Sequence, residues 1–214
     1  MSIARPALPR RTWLSFASLG VAATCFSSNL FAEEETQAAI DRGLRWLVKR
    51  QNADGSLKSS TYNRNTAVIS LIGIAYLASG STPGRGPYGE AINRCVDFVL
   101  QSSDEKGMLS VKESTSHGPM YDHGFATLFL AETYGMSPEP ELRLKLSRAV
   151  DLIVQSQHRE GGWRYEPRPV EADVSVTVCQ IMALRAAKNA GIAIPKETVE
   201  RCTNYVKRCQ NADG

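Results

Sequence analysis

The chain has 214 residues, enough for one substantial hydrophobic core or two small ones. Its 43% hydrophobic and 22% charged residues are typical of a soluble globular protein and exclude wholesale disorder as an expectation. Three of the 25 Lys and Arg residues lie in the first 32 positions, which leaves 22 basic side chains against 22 acidic ones. No basic patch remains, so nucleic acid is not an expected partner.

Residues 1–32 follow the order of a secretory signal peptide. Arg5, Arg10 and Arg11 precede an apolar stretch over residues 13–26, and Ala32 offers a small residue at a cleavage point ahead of Glu33. The Arg10-Arg11 pair also resembles a twin-arginine signal, so both the Sec and the twin-arginine routes stay open. We predict that residues 1–32 are a signal peptide and that residues 33–214 are exported to the periplasm or secreted.

The remaining chain is a repeat with successive spacings of 52, 54 and 53 residues. The repeat is marked by a glycine column, Gly55, Gly107, Gly161 and Gly214. Thirteen residues earlier stands an arginine column, Arg42, Arg94, Arg148 and Arg201. Nine residues before each glycine is a bulky side chain, Trp46, Phe98, Leu152 or Tyr205. Agreement of the copies at these columns, at a fixed period, predicts stacked supersecondary units.

Between the copies lie three apolar segments, residues 67–78, 125–133 and 174–187. They end near Gly80, Gly135 and Gly191, each followed by a proline, which is typical of a helix C-terminus. A helix that is apolar on nearly every face is expected to be buried, whereas the helices of the glycine column are amphipathic. Each unit is therefore predicted to pair an amphipathic outer helix with a buried inner helix.

The first copy carries a recognisable motif. It reads Arg42-Gly43-x-x-Trp46-Leu47-x-x-x-Gln51-x-x-x-Gly55. This resembles the QW motif of squalene and oxidosqualene cyclases, and the copy at Gly161 keeps the closing Trp163. We expect the Gln of the motif to bond the exposed carbonyl groups at the end of its own helix.

By this resemblance the chain is identified as a member of the squalene cyclase/prenyltransferase-like α/α-toroid family. The resemblance implies an all-α fold over residues 33–214, in which tandem αα-hairpins form part of an α/α toroid. Three inner helices imply an incomplete barrel, since a closed toroid of this family has roughly twice as many. An open C-terminal edge would favour a homo-oligomer.

The resemblance also implies that functional groups lie at the starts of the inner helices. Glu171-x-Asp173-Val174-Ser175 is similar to the Asp-x-Asp-Asp-Thr motif with which squalene-hopene-type cyclases protonate an alkene, so Asp173 is a candidate catalytic acid. Asp122 and His123 form a second candidate catalytic pair, and we expect His123 to point toward the cavity mouth. The alternative for both aspartates is an N-cap ahead of an inner helix, as for Asn65.

Aromatic residues near these helix starts are candidates for substrate binding. They are Tyr121, and Trp163 and Tyr165 in the segment Trp163–Pro169, which we interpret as a cavity rim or as a proline-stiffened turn. Prenyltransferase β-subunits bind zinc through Asp, Cys and His, but the Asp-x-Cys spacing is missing at Asp122 and Asp173. We therefore expect no metal and no cofactor.

Three functions remain open from the sequence. The first is an exported protein that binds or transforms an isoprenoid or another apolar small molecule in an apolar central cavity. The second is a non-catalytic toroid that serves as a binding or scaffold module. A polysaccharide lyase of the toroid type is the third, and the apolar inner helices disfavour it, because such a cavity needs basic and acidic side chains.

Overall fold

The computed structural model describes residues 17–59, 61–112, 114 and 116–213, with side chains from Glu33 onward. These residues form seven helices and no strands. The helices are α1 (Ala17–Arg50), α2 (Thr66–Ala78), α3 (Gly89–Gln101), α4 (Pro119–Met136), α5 (Pro140–Gln155), α6 (Val174–Asn189) and α7 (Lys196–Cys209). The predicted all-α repeat fold is confirmed.

The structure describes only part of the predicted signal segment. Residues 1–16 lie outside the described residues, and residues 17–32 belong to α1. Cleavage and export therefore stay predictions. The chain divides into two units, Met1–Arg45 and Trp46–Gly214, and the second holds α2 to α7. Among the helices of the described residues, none combines the length and apolarity required of a membrane span.

The second unit alternates inner and outer helices as the repeat predicts. The inner helix α4 packs between the inner helices α2 and α6, while α3, α5 and α7 pack behind them. Gly73 allows the close approach of α2 to α4, because an added Cβ would lie 2.4 Å from the ring of Phe129. Helix α4 begins earlier than the apolar segment suggests, at Pro119, since proline at the first helical position is preorganised for a helix.

The glycine and arginine columns meet across neighbouring copies. Gly55 has a φ of 82°, and a Cβ added to it would lie 2.2 Å from the carbonyl oxygen of Arg94 in the next outer helix. The same approach joins Gly161 to Arg201 at 2.2 Å and Gly107 to Arg148 at 2.7 Å. Each turn therefore lies directly against the backbone of the following outer helix, which only glycine permits.

The Gln side chain of the motif bonds the neighbouring copy, so the expectation that it caps the carbonyl groups of its own helix is wrong. Gln51 Nε2 donates to the carbonyl oxygen of Ala91 at 3.1 Å, and Arg94 Nε donates to Gln51 Oε1 at 3.0 Å. Gln157 Nε2 donates to the carbonyl oxygen of Thr198 at 2.9 Å in the same way. Gln51 follows the last residue of α1, so its side chain extends toward the first turn of α3.

The inner helices are buried as predicted except along one stripe of each, which is solvent-accessible. Leu71 of α2 is 45% exposed, and Val178 and Met182 of α6 are 45% and 47% exposed. On α4 the half-buried Tyr121 and Phe125 lie on one stripe, four residues apart. No described segment covers these positions, so they form an apolar face that we call the inner face.

Candidate functional site

The N-terminal ends of the three inner helices carry a set of linked polar side chains. Asn65 precedes α2, Tyr121 and Asp122 lie in the first turn of α4, and Asp173 and Ser175 begin α6. Asn65 is hydrogen-bonded to Asp122, while the Tyr121 hydroxyl is hydrogen-bonded to the Ser175 hydroxyl. The repeat thus brings the two predicted acids to the same end of the inner helices, with Tyr121 between them.

Asp122 lies inside α4, so the prediction that it is an N-cap is wrong. Helix α4 begins at Pro119, after Gly118, and places the carboxyl group of Asp122 against the start of α2. The residue is 1% exposed; its Oδ1 accepts from Asn65 Nδ2 at 2.9 Å and its Oδ2 lies 3.0 Å from Ser110 Oγ. Burial raises the pKa of Asp122 above its ordinary value, although these donors oppose the rise.

The repeat itself shows that the fold does not require an acid at this position. Asp122 stands fifteen residues after Gly107, and the residue fifteen after Gly161 is Val176. Val176 is 0% exposed, so a copy of the same hairpin buries an apolar side chain there. A buried carboxyl group costs more than a buried valine, because polar groups lose hydration. Asp122 is therefore a candidate for function.

An open cleft of about 380 Å³ adjoins Asp122. Its walls are largely apolar and include Val68 from α2 and Tyr121 and Phe125 from α4. A second apolar cleft of about 600 Å³ shares Tyr62 and Val68 with the first and includes Leu71 and Ala75 of α2. The carboxyl group of Asp122 consequently lies at the edge of an apolar surface large enough for a small molecule.

Asp173 is the N-cap of α6, which confirms the capping interpretation for this residue. Its Oδ1 accepts from the backbone N–H of Ser175 at 2.9 Å and of Val176 at 3.2 Å, and also from the Ser175 hydroxyl. The Ser175 hydroxyl and these backbone bonds stabilise the charged form and lower the pKa of Asp173. The pKa of Asp122 is therefore raised and the pKa of Asp173 is lowered.

Tyr165 lies beside Tyr121 in the candidate rim segment. The two ring centroids are 5.9 Å apart, and the guanidinium of Arg164 lies 4.9 Å from the Tyr165 ring centroid. The backbone N–H of Met120 donates to the carbonyl oxygen of Tyr165 at 3.1 Å, which ties this segment to the start of α4. Tyr121 and Tyr165 are both half-buried and remain candidates for substrate contact.

Trp163 lies in the core, away from the cleft. It is 0% exposed, and its Nε1 donates to the carbonyl oxygen of Ile153 at 2.7 Å. Replacing it with phenylalanine is expected to lower the free energy of unfolding by about 2 kcal/mol, because the carbonyl oxygen of Ile153 loses its donor and packing volume is lost. Urea unfolding measures this loss, and a change within about 0.3 kcal/mol would contradict a structural role.

His123 is also buried, so the expectation that it points toward a cavity mouth is wrong. It is 0% exposed; Nδ1 accepts from the backbone N–H of Leu109 at 3.1 Å, and Nε2 lies 3.0 Å from the carbonyl oxygen of Ala149. These partners require the tautomer with the proton on Nε2. The equivalent bond in the next copy runs from Trp163 N to Thr177 Oγ1, so His123 replaces a structural threonine.

Burial lowers the pKa of His123 from 6.5 to about 4, which predicts acid sensitivity. His123 binds the proton more tightly in the unfolded chain than in the folded one. Its contribution to the free energy of unfolding is therefore complete above pH 6.5 and is lost as the pH falls toward 4. The expected loss is about 3 kcal/mol. Urea unfolding between these pH values measures it. In His123→Gln this part of the pH dependence should vanish, and an unchanged slope would rule out His123 as its origin.

The titratable side chains of the described residues form no metal-binding cluster. Within the described residues, no group of three or more His, Cys, Asp or Glu side chains could hold a metal ion. The four cysteines described, Cys95, Cys179, Cys202 and Cys209, are unpaired.

Comparison with known proteins adds two findings. The model of the prenyltransferase alpha-alpha toroid domain matches residues 21–164 and, in a second overlapping match, residues 90–214. The chain is similar to a drimenyl diphosphate synthase of Streptomyces showdoensis, with 27% identity over 180 residues. That alignment covers 79% of this chain but 31% of the relative, so the chain spans less than a third of that protein's length.

Proposed function

We propose, since the chain belongs to the prenyltransferase alpha-alpha toroid family, that it binds an isoprenoid at the inner face and protonates it with Asp122. The observation that carries the proposal is the buried carboxyl group of Asp122 at the edge of an apolar cleft. The distant similarity to a drimenyl diphosphate synthase supports a terpenoid substrate. The proposal assigns the acid to Asp122, whereas the motif resemblance pointed to Asp173.

The opposite pKa shifts of the two carboxyl groups favour Asp122 over Asp173 as the acid. An acid that protonates an alkene must hold its proton when the substrate binds, and burial favours the protonated form of Asp122. Asp173 is stabilised as a carboxylate by the donors at the start of α6. In the proposed step the proton moves from Asp122 to one alkene carbon, which leaves a carbocation on the other carbon and a carboxylate on Asp122.

Two aromatic rings close to Asp122 support the proposed carbocation step. The ring of Tyr121 lines the cleft next to Asp122, and Tyr165 packs beside Tyr121. A cation over an aromatic face is stabilised by about 1–2 kcal/mol when water is excluded. The hydrogen bond from Tyr121 to Ser175 restrains the ring, so we propose that Tyr121 contacts the reacting part of the substrate.

The test is incubation of the full chain with squalene and, separately, with prenyl diphosphates, followed by mass spectrometry of the products. The proposal predicts a product whose formation depends on Asp122. Binding without any conversion would instead favour the second candidate, a non-catalytic binding module. The hydrogen bonds of Asp122 to Asn65 and Ser110 support that alternative, because they also hold the start of α4 against the segments that contain these two residues.

Two further proposals follow from the sequence. We propose export directed by residues 1–32, which fractionation of expressing cells would test. We also propose self-association through exposed apolar side chains of α7, such as Val206, which is 43% exposed. Light scattering over a range of concentrations would detect it, and a constant monomer mass would contradict it.

A further inference from the structure

Asn65 links the start of α2 to the candidate acid through both ends of its amide group. Its Oδ1 accepts from the backbone N–H of Val68 at 2.9 Å, and its Nδ2 donates to Asp122 Oδ1 at 2.9 Å. A backbone N–H is only a donor, so it fixes which end of the amide faces α2. The NH2 group must then face Asp122. Asn65 is 4% exposed, which keeps competing water away.

This orientation makes the two oxygens of Asp122 unequal. Oδ1 faces an amide donor and acts as an acceptor, whether Asp122 is neutral or charged. Oδ2 lies 3.0 Å from the Ser110 hydroxyl, which accepts from a protonated carboxyl group and donates to an ionised one. Of these two partners, only Ser110 at Oδ2 suits both protonation states of Asp122. The Ser116 hydroxyl and the backbone N–H of Ala67 also interact with the carboxyl group and stabilise its charged form.

We infer that Asn65 is a positioning residue that holds the acidic proton of Asp122 on Oδ2, the oxygen facing Ser110. The inference rests on the proposed function in that this proton is the one delivered to the substrate. It adds a fixed starting position for the proton, and it assigns Asn65 and Ser110 to the site.

Capping of α2 alone does not explain an asparagine at this position. Aspartate is an equally good N-cap, and Asp173 fills that role for α6. An aspartate at position 65 would, however, place a second carboxyl group about 2.9 Å from Asp122 Oδ1. Two carboxyl groups at that distance share one proton and do not both ionise near neutral pH. Asparagine supplies the cap and a donor at once.

The position of the proton is tested by infrared spectroscopy of the protonated carboxyl group of Asp122. Its carbonyl stretch is identified in full-length protein as the band lost in Asp122→Asn, at a pH that leaves exposed carboxyl groups ionised. In Asn65→Ser the serine still caps α2 but is too short to reach Asp122. The carbonyl oxygen Oδ1 then loses a donor, so the band should move to higher frequency, while Ser110→Ala should move it much less.

The opposite pattern, a shift in Ser110→Ala and none in Asn65→Ser, would place the proton on Oδ1 and overturn the inference. An unmoved band in both variants would overturn it as well. Asn65→Asp provides a second reading, by titration of ¹³C-labelled aspartate. The paired acids should titrate in two steps. The step at higher pH should show a proton affinity at least about tenfold greater than that of Asp122 in the parent chain. Titration unchanged from the parent would contradict the inference.

Circular dichroism checks that each variant is folded, and the Asn65→Ser reading stands if Asn65→Asp does not fold. These measurements need no substrate. If the carbonyl band shifts as expected but no isoprenoid is converted, the proposed function is contradicted and the role of Asn65 is supported. If conversion depends on Asp122 but the carbonyl band does not shift in the variants, only the role of Asn65 is contradicted.

Discussion

Replacing Asp122 with asparagine should lower the rate of isoprenoid conversion by about 10²- to 10⁴-fold, the usual contribution of a positioned general acid. Asparagine has nearly the same shape and still offers an oxygen to Asn65, but it carries no acidic proton. The fold should therefore persist, with circular dichroism close to that of the parent chain. Product formation per unit time, measured by mass spectrometry at saturating substrate, gives the effect.

Asp173→Asn is the matched control, because it makes the same chemical change at the other candidate acid. Asparagine caps a helix as well as aspartate does, so α6 should be preserved and the rate should change by less than about threefold. The roles would be reversed if Asp173→Asn abolished conversion while Asp122→Asn retained it. That result would return the assignment to the acid that the motif resemblance indicated.

The pH dependence of the rate supplies an independent check on the identity of the acid. Burial raises the pKa of Asp122, and the acid is active only while it is protonated. Conversion by the folded protein should accordingly fall as the pH rises through this elevated pKa. If Asp173 were the acid, its lowered pKa would confine activity to more acidic solution.

The sequence was sufficient for the fold because the repeat exposes the same physical constraint several times. Gly55 and Gly161 recur because each turn touches the backbone of the next outer helix. Arg94 recurs as part of that contact, with its guanidinium bonded to Gln51. Periodicity alone could not show that the Gln bonds the neighbouring copy, since local and neighbouring carbonyl groups are equally compatible with its spacing.

The candidate site was harder to derive because it depends on where α4 begins. The apolar run starts at Phe125, but Pro119 starts the helix, and those six residues decide whether Asp122 caps a helix or lies buried inside it. One signal was available in the sequence. The fifteen-residue offset that leads to Asp122 from Gly107 leads to Val176 from Gly161, which marks the acid as an exception within its own repeat.

Gly55→Ala tests the contact between copies, and the expected loss in the free energy of unfolding is about 3–4 kcal/mol. The positive φ of 82° costs an L-residue about 1–2 kcal/mol. The new Cβ would also lie 2.2 Å from the carbonyl oxygen of Arg94 and 2.9 Å from Phe98 Cβ. Neither the helix backbone nor Cβ can rotate away, so the turn and α3 must separate. Urea unfolding of the parent and the variant measures the difference.

Gly80→Ala separates the two causes. Gly80 has nearly the same backbone angle, φ 87°, but no atom lies within 4 Å of an added Cβ. This variant should lose only the conformational cost, about 1–2 kcal/mol. The excess loss in Gly55→Ala then reports the contact with Arg94 alone. Equal losses in the two variants would show that the glycine column is kept for its backbone angle, and that the close approach to the next outer helix contributes little to holding the copies together.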